Sequence, residues 1–198
     1  MKIGLTGSIA CGKSTVSAYL RETGIPVVDA DAISHAMTAP GGAALPALRE
    51  AFGSAVFTGD VLNRRALGSL VFADPAQLER LNAILHPMII AEVHAQLDAL
   101  SRTQPIVVGD VPLLYECGME RLFDRVWVVS VPRDVQIQRI IERDGLTAKE
   151  AAQRIDAQMP LHEKEAKADA VIHSDGPIEA TRAQVRALLR TPHQRRQA

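Results

Sequence analysis

The sequence predicts an α/β fold in which a doubly wound, five-stranded parallel sheet carries a helical insertion and a helical lid. The strand candidates are short, rich in β-branched residues and apolar throughout, which is typical of strands buried on both faces. Helical stretches with apolar residues three and four positions apart lie between them. This alternation favours parallel strands joined by helices. The 198 residues suffice for one such domain with an insertion.

The elements follow one another in a simple order. Strands are predicted at 2–6, 105–110, 125–131 and 168–173, and residues 24–29 are predicted as a turn that leads into the second strand. Helices are predicted at 14–21, 62–72, 75–85 and 87–100, and a further helix begins at Thr147, where Glu150 completes a capping-box pattern. Within a single domain of residues 1–198, we therefore expect the core at about 1–31, 105–131 and 168–190, the insertion at about 32–104, and the lid at about 132–167.

Composition excludes several classes of protein. The net charge of -1 gives no basic field of the kind that binds nucleic acid. No apolar run reaches membrane-spanning length, so no membrane association is expected. The two cysteines, Cys11 and Cys117, form neither a disulfide framework nor a zinc motif, which favours a reducing, cytoplasmic location.

The clearest motif is a glycine-rich loop near the N-terminus. Residues 7–14 read GSIACGKS and match G-x-x-x-x-G-K-[ST], between a predicted strand and a predicted helix. Such a loop turns its backbone N–H groups and a helix N-terminus toward phosphate. Lys13 would reach the β- and γ-phosphates, and the Ser14 hydroxyl would bind Mg²⁺. The loop predicts binding of a nucleoside triphosphate but does not name an acceptor.

Acidic residues follow two of the predicted strands. Asp29 and Asp31 come at the end of the second strand, where ligands gather in parallel sheets. Either could orient an acceptor hydroxyl and take its proton, or hold Mg²⁺ through water, and either could cap the following helix. Asp110 ends the third strand, where a carboxylate can face Mg²⁺, and Glu116 is its rival for that role.

Arginines mark the predicted lid. Arg139 and Arg143 lie four residues apart on one helix face, and Arg154 is on the next helix. The guanidinium group matches phosphate oxygens well, so closure of this helix pair over a nucleotide is one interpretation. The alternative is an amphipathic pair whose arginines face water.

Several stretches, taken in order, resemble the dephospho-coenzyme A kinase family. They are GLTG at 4–7 leading into the loop, VDAD at 28–31, LNRRAL at 62–67, LHP at 85–87, PLLYE at 112–116, and the pair Arg139 and Arg143. The resemblance runs from about residue 1 to 187. It implies a P-loop kinase-like fold and transfer of the γ-phosphate of ATP, with Mg²⁺, to the ribose 3′-hydroxyl of dephospho-coenzyme A. This small-molecule reaction is the last step of coenzyme A synthesis.

The resemblance also assigns roles to residues, while the oligomeric state stays open. Asp31, Lys13 and Arg139 are expected to be catalytic, and Arg64 and His86 to contact substrate. His86 precedes a proline, and a His-Pro pair at a helix start is also a common packing or capping element. Ser14 and Asp110 are the expected metal ligands. Contacts to ATP are expected from Gly7, Ala10, Cys11, Gly12, Lys13, Ser14, Thr15 and Arg143.

The loop departs from the family pattern, which commonly reads Gly-Gly-Ile-Gly-Ser-Gly-Lys. Here Ser8, Ala10 and Cys11 replace Gly, Gly and Ser. Alanine would be strained at position 10 if that residue required a positive φ. A thiol beside Lys13 and a helix start could have a lowered pKa and be oxidisable, whereas the simpler interpretation makes Cys11 a small filler residue.

Two other functions fit parts of the sequence. A nucleoside or nucleotide kinase would share the loop, the strand-end aspartate and the lid, but the PLLYE and LHP stretches weigh against it. A nucleotide-dependent switch is a different class of protein. Guanine-specific switches need an Asn-Lys-x-Asp stretch, and neither Asn63 nor Asn82 precedes a lysine.

Overall fold

A central parallel sheet organises the larger part of the protein. The computed structural model describes residues 1–190. Its sheet has five strands in the order β2-β5-β1-β6-β7, which confirms the predicted fold class. The strands are β1 (Lys2–Gly7), β2 (Val27–Asp29), β5 (Val107–Asp110), β6 (Arg125–Ser130) and β7 (Ala170–His173). A separate two-stranded hairpin consists of β3 (Phe57–Thr58) and β4 (Val61–Leu62).

The middle of the sheet is buried on both faces, as the apolar strands predict. Every residue of β5 is buried, as are all but the first residue of β1 and of β6. Trp127 lies in this core on β6, next to Leu5 of β1, and is 3% exposed. Removing such surfaces from water is the main stabilising contribution to a sheet of this kind.

The strand register brings two of the predicted site residues to one edge of the sheet. β1 and β5 pair in parallel with Leu5 opposite Asp110. Because Gly7 follows Leu5 by two residues, the end of β5 lies beside the start of the glycine-rich loop. This is the edge at which parallel sheets place their ligands.

Nine helices of the described chain flank or extend the strands. They are α1 (Lys13–Glu22), α2 (Ala30–Met37), α3 (Leu45–Phe52), α4 (Arg64–Ala73), α5 (Pro75–Ser101), α6 (Arg133–Asp144), α7 (Ala148–Asp156), α8 (Leu161–Lys167) and α9 (Ile178–Arg190). The capping box predicted at the start of α7 is confirmed, because Thr147 and Glu150 exchange side-chain and backbone hydrogen bonds.

The predicted break before Pro87 is wrong. The sequence indicated two helices, 75–85 and 87–100, with His86 at the start of the second. Instead α5 runs without interruption from Pro75 to Ser101, with Pro87 inside it. Proline removes one backbone hydrogen bond from a helix, but it does not end a helix whose other residues are held by tertiary packing. His86 is therefore an interior residue of α5 rather than a cap.

The described chain contains two compact units. One consists of residues 29–96, and the other of residues 1–28 with the chain from Leu97 onward. The first unit has its own core, in which Leu48, Val56, Leu62 and Leu67 are buried. Its hairpin, β3 and β4, was not predicted, since two-residue strands leave no periodic pattern.

Candidate active site

The glycine-rich loop joins the central strand to the first helix. Gly7 ends β1 and Lys13 begins α1, so the loop motif starts at the end of the strand and residues 8–12 connect the strand to the helix. Gly12 precedes the helix with a φ of 84°, a left-handed conformation that glycine adopts without steric cost. The N-terminus of a helix carries partial positive charge and directed N–H groups, which suit it for binding phosphate.

Ala10 has an unusual backbone conformation in this loop. Its φ is 60°, and it is the only non-glycine residue with a positive φ among residues 1–190. From the sequence, strain is expected at position 10 if that residue needs a positive φ, and the structure shows that it does. An alanine there costs on the order of 1–2 kcal/mol relative to a right-handed conformation. Strain of this kind persists where the surrounding contacts fix the backbone.

Lys13 and Asp110 form an ion pair at the mouth of the loop. The Lys13 ammonium contacts Oδ1 of Asp110, and the two side chains are only 17% and 7% exposed. The structure thereby joins the predicted phosphate-binding lysine to the predicted metal-binding carboxylate. Glu116, the rival of Asp110, instead pairs with Lys164.

Arg139 bridges the glycine-rich loop and the loop that follows β7. Its Nη1 donates to the carbonyl of Ala10 at 3.2 Å, and its Nη2 donates to the carbonyl of Ser174 at 2.6 Å. Ser174 in turn donates from Oγ to the carbonyl of Cys11. A Cβ at Gly12 would lie 2.6 Å from Ser174 Oγ, so glycine is also required there by this close approach.

Arg143, one turn further along α6, has different partners. Its guanidinium forms two hydrogen bonds with the carboxylate of Asp144, at 2.8 and 3.0 Å. Arg154 reaches the same carboxylate at 2.9 Å from α7. The hydrogen bonds from Arg143 hold the pKa of Asp144 below its ordinary value. Arg143 and Arg154 thus share one acidic partner, Asp144, at the end of α6.

A cavity of about 510 Å³ lies beside the glycine-rich loop. Its volume is within the usual range for a small-molecule site. It brings together many of the predicted ATP contacts with residues of α6, α9 and the loop before α9. Its lining consists of Ala10, Gly12, Ser14, Thr15, Arg139, Glu142, Arg143, Ser174, Gly176, Ile178 and Thr181.

Two glutamines hold the first half of the loop, and the sequence did not indicate either of them. Oε1 of Gln158 accepts hydrogen bonds from Ser8 Oγ at 3.0 Å and from the Ile9 N–H at 2.9 Å. Gln136, which is 2% exposed, donates from Nε2 to the carbonyl of Ile9 at 2.8 Å. Both lie more than 120 positions from the loop in sequence, and no local pattern marks such contacts.

The environment of Cys11 contradicts the hypothesis of a lowered pKa for its thiol. Burial raises the pKa of this thiol above its ordinary value, although the nearby charge and backbone of Lys13 act in the opposite direction. The side chain is 1% exposed and packs toward Gly7, where an added Cβ would lie 2.4 Å from its sulfur. Cys11 is therefore a filler of the loop interior. Its N–H donates to the carbonyl of Ser8 at 3.3 Å.

The remaining predicted residues belong to the unit of residues 29–96. Asp29 caps α2, since its Oδ1 accepts from the Ala32 N–H at 3.0 Å, while Asp31 lies in the first turn of that helix. The guanidinium of Arg64 donates to Thr38 Oγ1 at 2.7 Å and to the carbonyl of His35 at 3.2 Å. Both acceptors are at the end of α2, so α2 has Asp31 at its start and Arg64 against its end.

The oxygen donors at the loop suit a hard divalent cation. The Ser14 hydroxyl is exposed at the start of α1, and the Asp110 carboxylate lies at the end of β5. Mg²⁺ prefers such oxygens and usually keeps waters and substrate phosphates as its other ligands. Within residues 1–190, no three His, Cys, Asp or Glu side chains group so that they could hold a metal ion.

Comparison with known proteins agrees with this geometry. The family model described as dephospho-CoA kinase matches residues 1–180. A dephospho-CoA kinase of Symbiobacterium thermophilum is 50% identical over 190 residues, which cover 95% of this chain and 80% of that protein. The dephospho-CoA kinase structure from Campylobacter jejuni has a TM-score of 0.75 at 28% identity, with 96% of each chain covered.

A crystal structure of a Thermus thermophilus protein is also similar, with a TM-score of 0.80 at 37% identity and 96% of each chain covered. The family model and the curated relative extend over nearly the whole chain, including the glycine-rich loop, the arginines of α6 and the insertion. This similarity favours the dephospho-CoA kinase interpretation over a nucleotide kinase or a switch. The chain belongs to the dephospho-CoA kinase family.

Proposed function

We propose that this enzyme transfers the γ-phosphoryl group of ATP to the ribose 3′-hydroxyl of dephospho-coenzyme A, giving coenzyme A and ADP. In this step the acceptor oxygen forms a bond to phosphorus, the bond from phosphorus to the β-phosphate oxygen breaks, and the hydroxyl proton is taken up by a base. The observation that carries the proposal is the Lys13–Asp110 pair at the glycine-rich loop of a dephospho-CoA kinase family member.

The cavity beside the loop is the proposed ATP site. The phosphates would bind over residues 12–15 at the start of α1, and the nucleoside would occupy the 510 Å³ cavity between the loop, α6 and α9. Arg139 already touches the loop, so its charge is in place for the phosphates without a large rearrangement. Arg143 would contribute from the cavity wall.

Mg²⁺ is the proposed metal, with Ser14 and Asp110 as its protein ligands. When bound, the ion would neutralise charge that develops on the phosphate oxygens. The close pairing with Asp110 keeps the Lys13 ammonium at the mouth of the loop. Phosphoryl transfer requires mainly positioning and charge stabilisation, which these side chains supply.

The unit of residues 29–96 is the proposed acceptor-binding part, with Asp31 as the base. The VDAD stretch at 28–31 supports this choice, because the family resemblance gives the role to its second aspartate, and Asp29 caps α2. Arg64 and His86 are proposed to contact the acceptor. Asp31→Asn is expected to lower turnover far more than ATP affinity. Asp29→Asn is the matched control, because asparagine caps helices as well as aspartate does.

The proposal extends to location and partners. The two free cysteines fit a reducing compartment, and we propose the cytoplasm. No helix among residues 1–190 has the length and apolar character needed to span a membrane. With a net charge of -1, the expected partners are small molecules rather than nucleic acid.

The decisive experiment follows product formation directly. Purified protein is incubated with ATP and dephospho-coenzyme A, with Mg²⁺ or with EDTA, and the products are identified by mass spectrometry. We expect coenzyme A and ADP only when Mg²⁺ is present. Folded protein that binds ATP yet forms no coenzyme A would overturn the acceptor assignment. Equal rates with EDTA would overturn the metal assignment.

A further inference from the structure

Lys164 of α8 is a fully buried lysine that the sequence did not indicate as functional. Its exposure is 0%, and it is among the largest completely buried side chains of the described chain. Lysine is almost never buried to this extent unless its charge is paired and its donors are satisfied. The contacts that satisfy it are therefore the guide to its role.

The Lys164 ammonium has one acceptor for each of its three N–H groups. Nζ lies 2.7 Å from Oε1 of Glu116, 3.1 Å from the carbonyl of Pro112 and 3.3 Å from the carbonyl of Gly7. Only the first acceptor is charged. The other two are backbone atoms, so two-thirds of the donor capacity of this lysine is directed at the main chain.

The carbonyls of Gly7 and Pro112 belong to the segments next to Lys13 and Asp110, the proposed phosphate-binding and metal-binding residues. Gly7 is the first residue of the glycine-rich loop, six positions before Lys13. Pro112 follows Asp110 by two positions, and its carbonyl also accepts from Thr6 Oγ1 of β1 at 3.0 Å. A single ammonium thus ties the exit of β1 to the exit of β5. These are the two strand ends from which Lys13 and Asp110 are presented.

We propose that Lys164 is a positioning residue for phosphoryl transfer. It sets the start of the glycine-rich loop relative to the segment after Asp110, and it acts through the carbonyls of Gly7 and Pro112 rather than by touching substrate. Glu116 serves to neutralise the buried charge. This inference rests on the proposed role of the loop in binding the phosphates of ATP.

Three variants separate positioning from simple structural support. Lys164→Met removes the charge and all three donors at similar volume, but it leaves Glu116 without its ion-pair partner, which is expected to destabilise the fold. The double variant Lys164→Met with Glu116→Gln removes that charge as well. Glu116→Gln alone keeps the lysine on both carbonyls, and its amide oxygen can still accept from the lysine and from the Met159 N–H.

We measure the thermal unfolding midpoint, kcat, and KM for each substrate in all three variants. Glu116→Gln is expected to keep kcat within threefold of wild type. In the double variant we expect the unfolding midpoint to recover toward wild type, kcat to stay at least tenfold lower, and KM for dephospho-coenzyme A to change by less than threefold. The kcat of the double variant should stay low at temperatures where it is fully folded.

Two outcomes would overturn the proposal. A double variant with wild-type kcat would mean that Lys164 only neutralises Glu116. A tenfold loss of kcat in Glu116→Gln would assign the effect to the ion pair instead of the carbonyls, and this arm is informative even if the double variant does not fold. Wild-type protein that makes no coenzyme A would instead refute the proposed function, which distinguishes the two failures.

Discussion

The two halves of the glycine-rich loop differ in what surrounds them. Residues 7–10 are held from outside by side chains of distant segments: Gln136 and Arg139 of α6, Gln158 before α8, and Lys164 of α8. Residues 12–15 lie at the start of α1, and Gly12, Ser14 and Thr15 line the cavity. Ala10 also lines the cavity, so the first half is mainly fixed by contacts, and the second half mainly faces the cavity that we propose for ATP.

This difference shows how a short loop combines rigidity with access. The contacts that fix the first half use carbonyls, Ser8 Oγ and the Ile9 N–H. Most of the loop residues that we expect to contact ATP belong to the second half: Gly12, Lys13, Ser14 and Thr15. All four side chains that contact the first half belong to residues 132–167, the segment predicted as the lid. That segment therefore supports the loop in addition to any part it plays in closing over ATP.

The largest expected effect is a loss of kcat on substitution in the second half of the loop, residues 12–15. Lys13→Ala should lower kcat by about 10²- to 10³-fold, because it removes a preorganised donor to the transferring phosphate. Steady-state kinetics at saturating substrates checks this. Lys2→Ala is the matched control, since Lys2 also contacts an aspartate, Asp98, but lies at the opposite end of β1. Equal losses in both variants would contradict the assignment of the loop.

A second effect separates the two arginines of α6. Arg139→Ala should lower kcat by about 10- to 100-fold, because two hydrogen bonds from a charged group to the backbone are lost. Arg143→Ala should raise KM for ATP by at most about fivefold, since this exposed side chain pairs with Asp144 at the surface. Similar kcat values in the two variants would remove the distinction between them.

A third effect, on stability, tests the contacts that fix the first half of the loop, residues 7–10. Gln158→Ala removes the acceptor for Ser8 Oγ and the Ile9 N–H, and we expect a loss of about 1–3 kcal/mol in the free energy of unfolding. Urea denaturation measures this loss. Gln153→Ala, at an exposed position of α7, should change stability by less than about 0.5 kcal/mol. If the two variants were equally stable, Gln158 would not hold the loop.

The smallest effect concerns the boundary between the halves. Ala10→Gly should raise the free energy of unfolding by up to about 1 kcal/mol, because relief of the left-handed strain exceeds the added entropy of the unfolded chain. Ala18→Gly, at an exposed position in α1, should lower it by about 1 kcal/mol. Changes of the same sign in both variants would show that Ala10 is not strained.

The sequence predicted the sheet and the loop because their signals are local. Five apolar segments and a complete phosphate-binding motif each occupy a few consecutive residues, and the carboxyl ends of parallel strands necessarily share an edge, which placed Asp110 near the loop. The wrong break at Pro87 has the opposite cause. A local signal for ending a helix was overridden by packing along α5, which no local pattern encodes.

Three of the four side chains that fix the first half of the loop were not predicted, for a related reason. Gln136 and Lys164 lie in polar helices, and Gln158 lies between α7 and α8; such polar stretches are typical of solvated surface, yet Gln136 and Lys164 are almost completely buried. Their partners in the loop are backbone atoms except for Ser8 Oγ, and all of them lie more than 120 residues away, so sequence spacing does not mark these contacts. Ser174 is a similar case, because its contact with the loop depends on the order of the strands rather than on its neighbours in sequence.

The position of Trp127 has a spectroscopic consequence. It is the only tryptophan in the chain and lies 3% exposed in β6, so intrinsic fluorescence reports on the sheet and carries no signal from residues 29–96. Circular dichroism, by contrast, averages over the helices of both units. Coincident melting curves from the two methods would indicate one cooperative transition, whereas separated curves would reveal that the unit containing Asp31 unfolds independently.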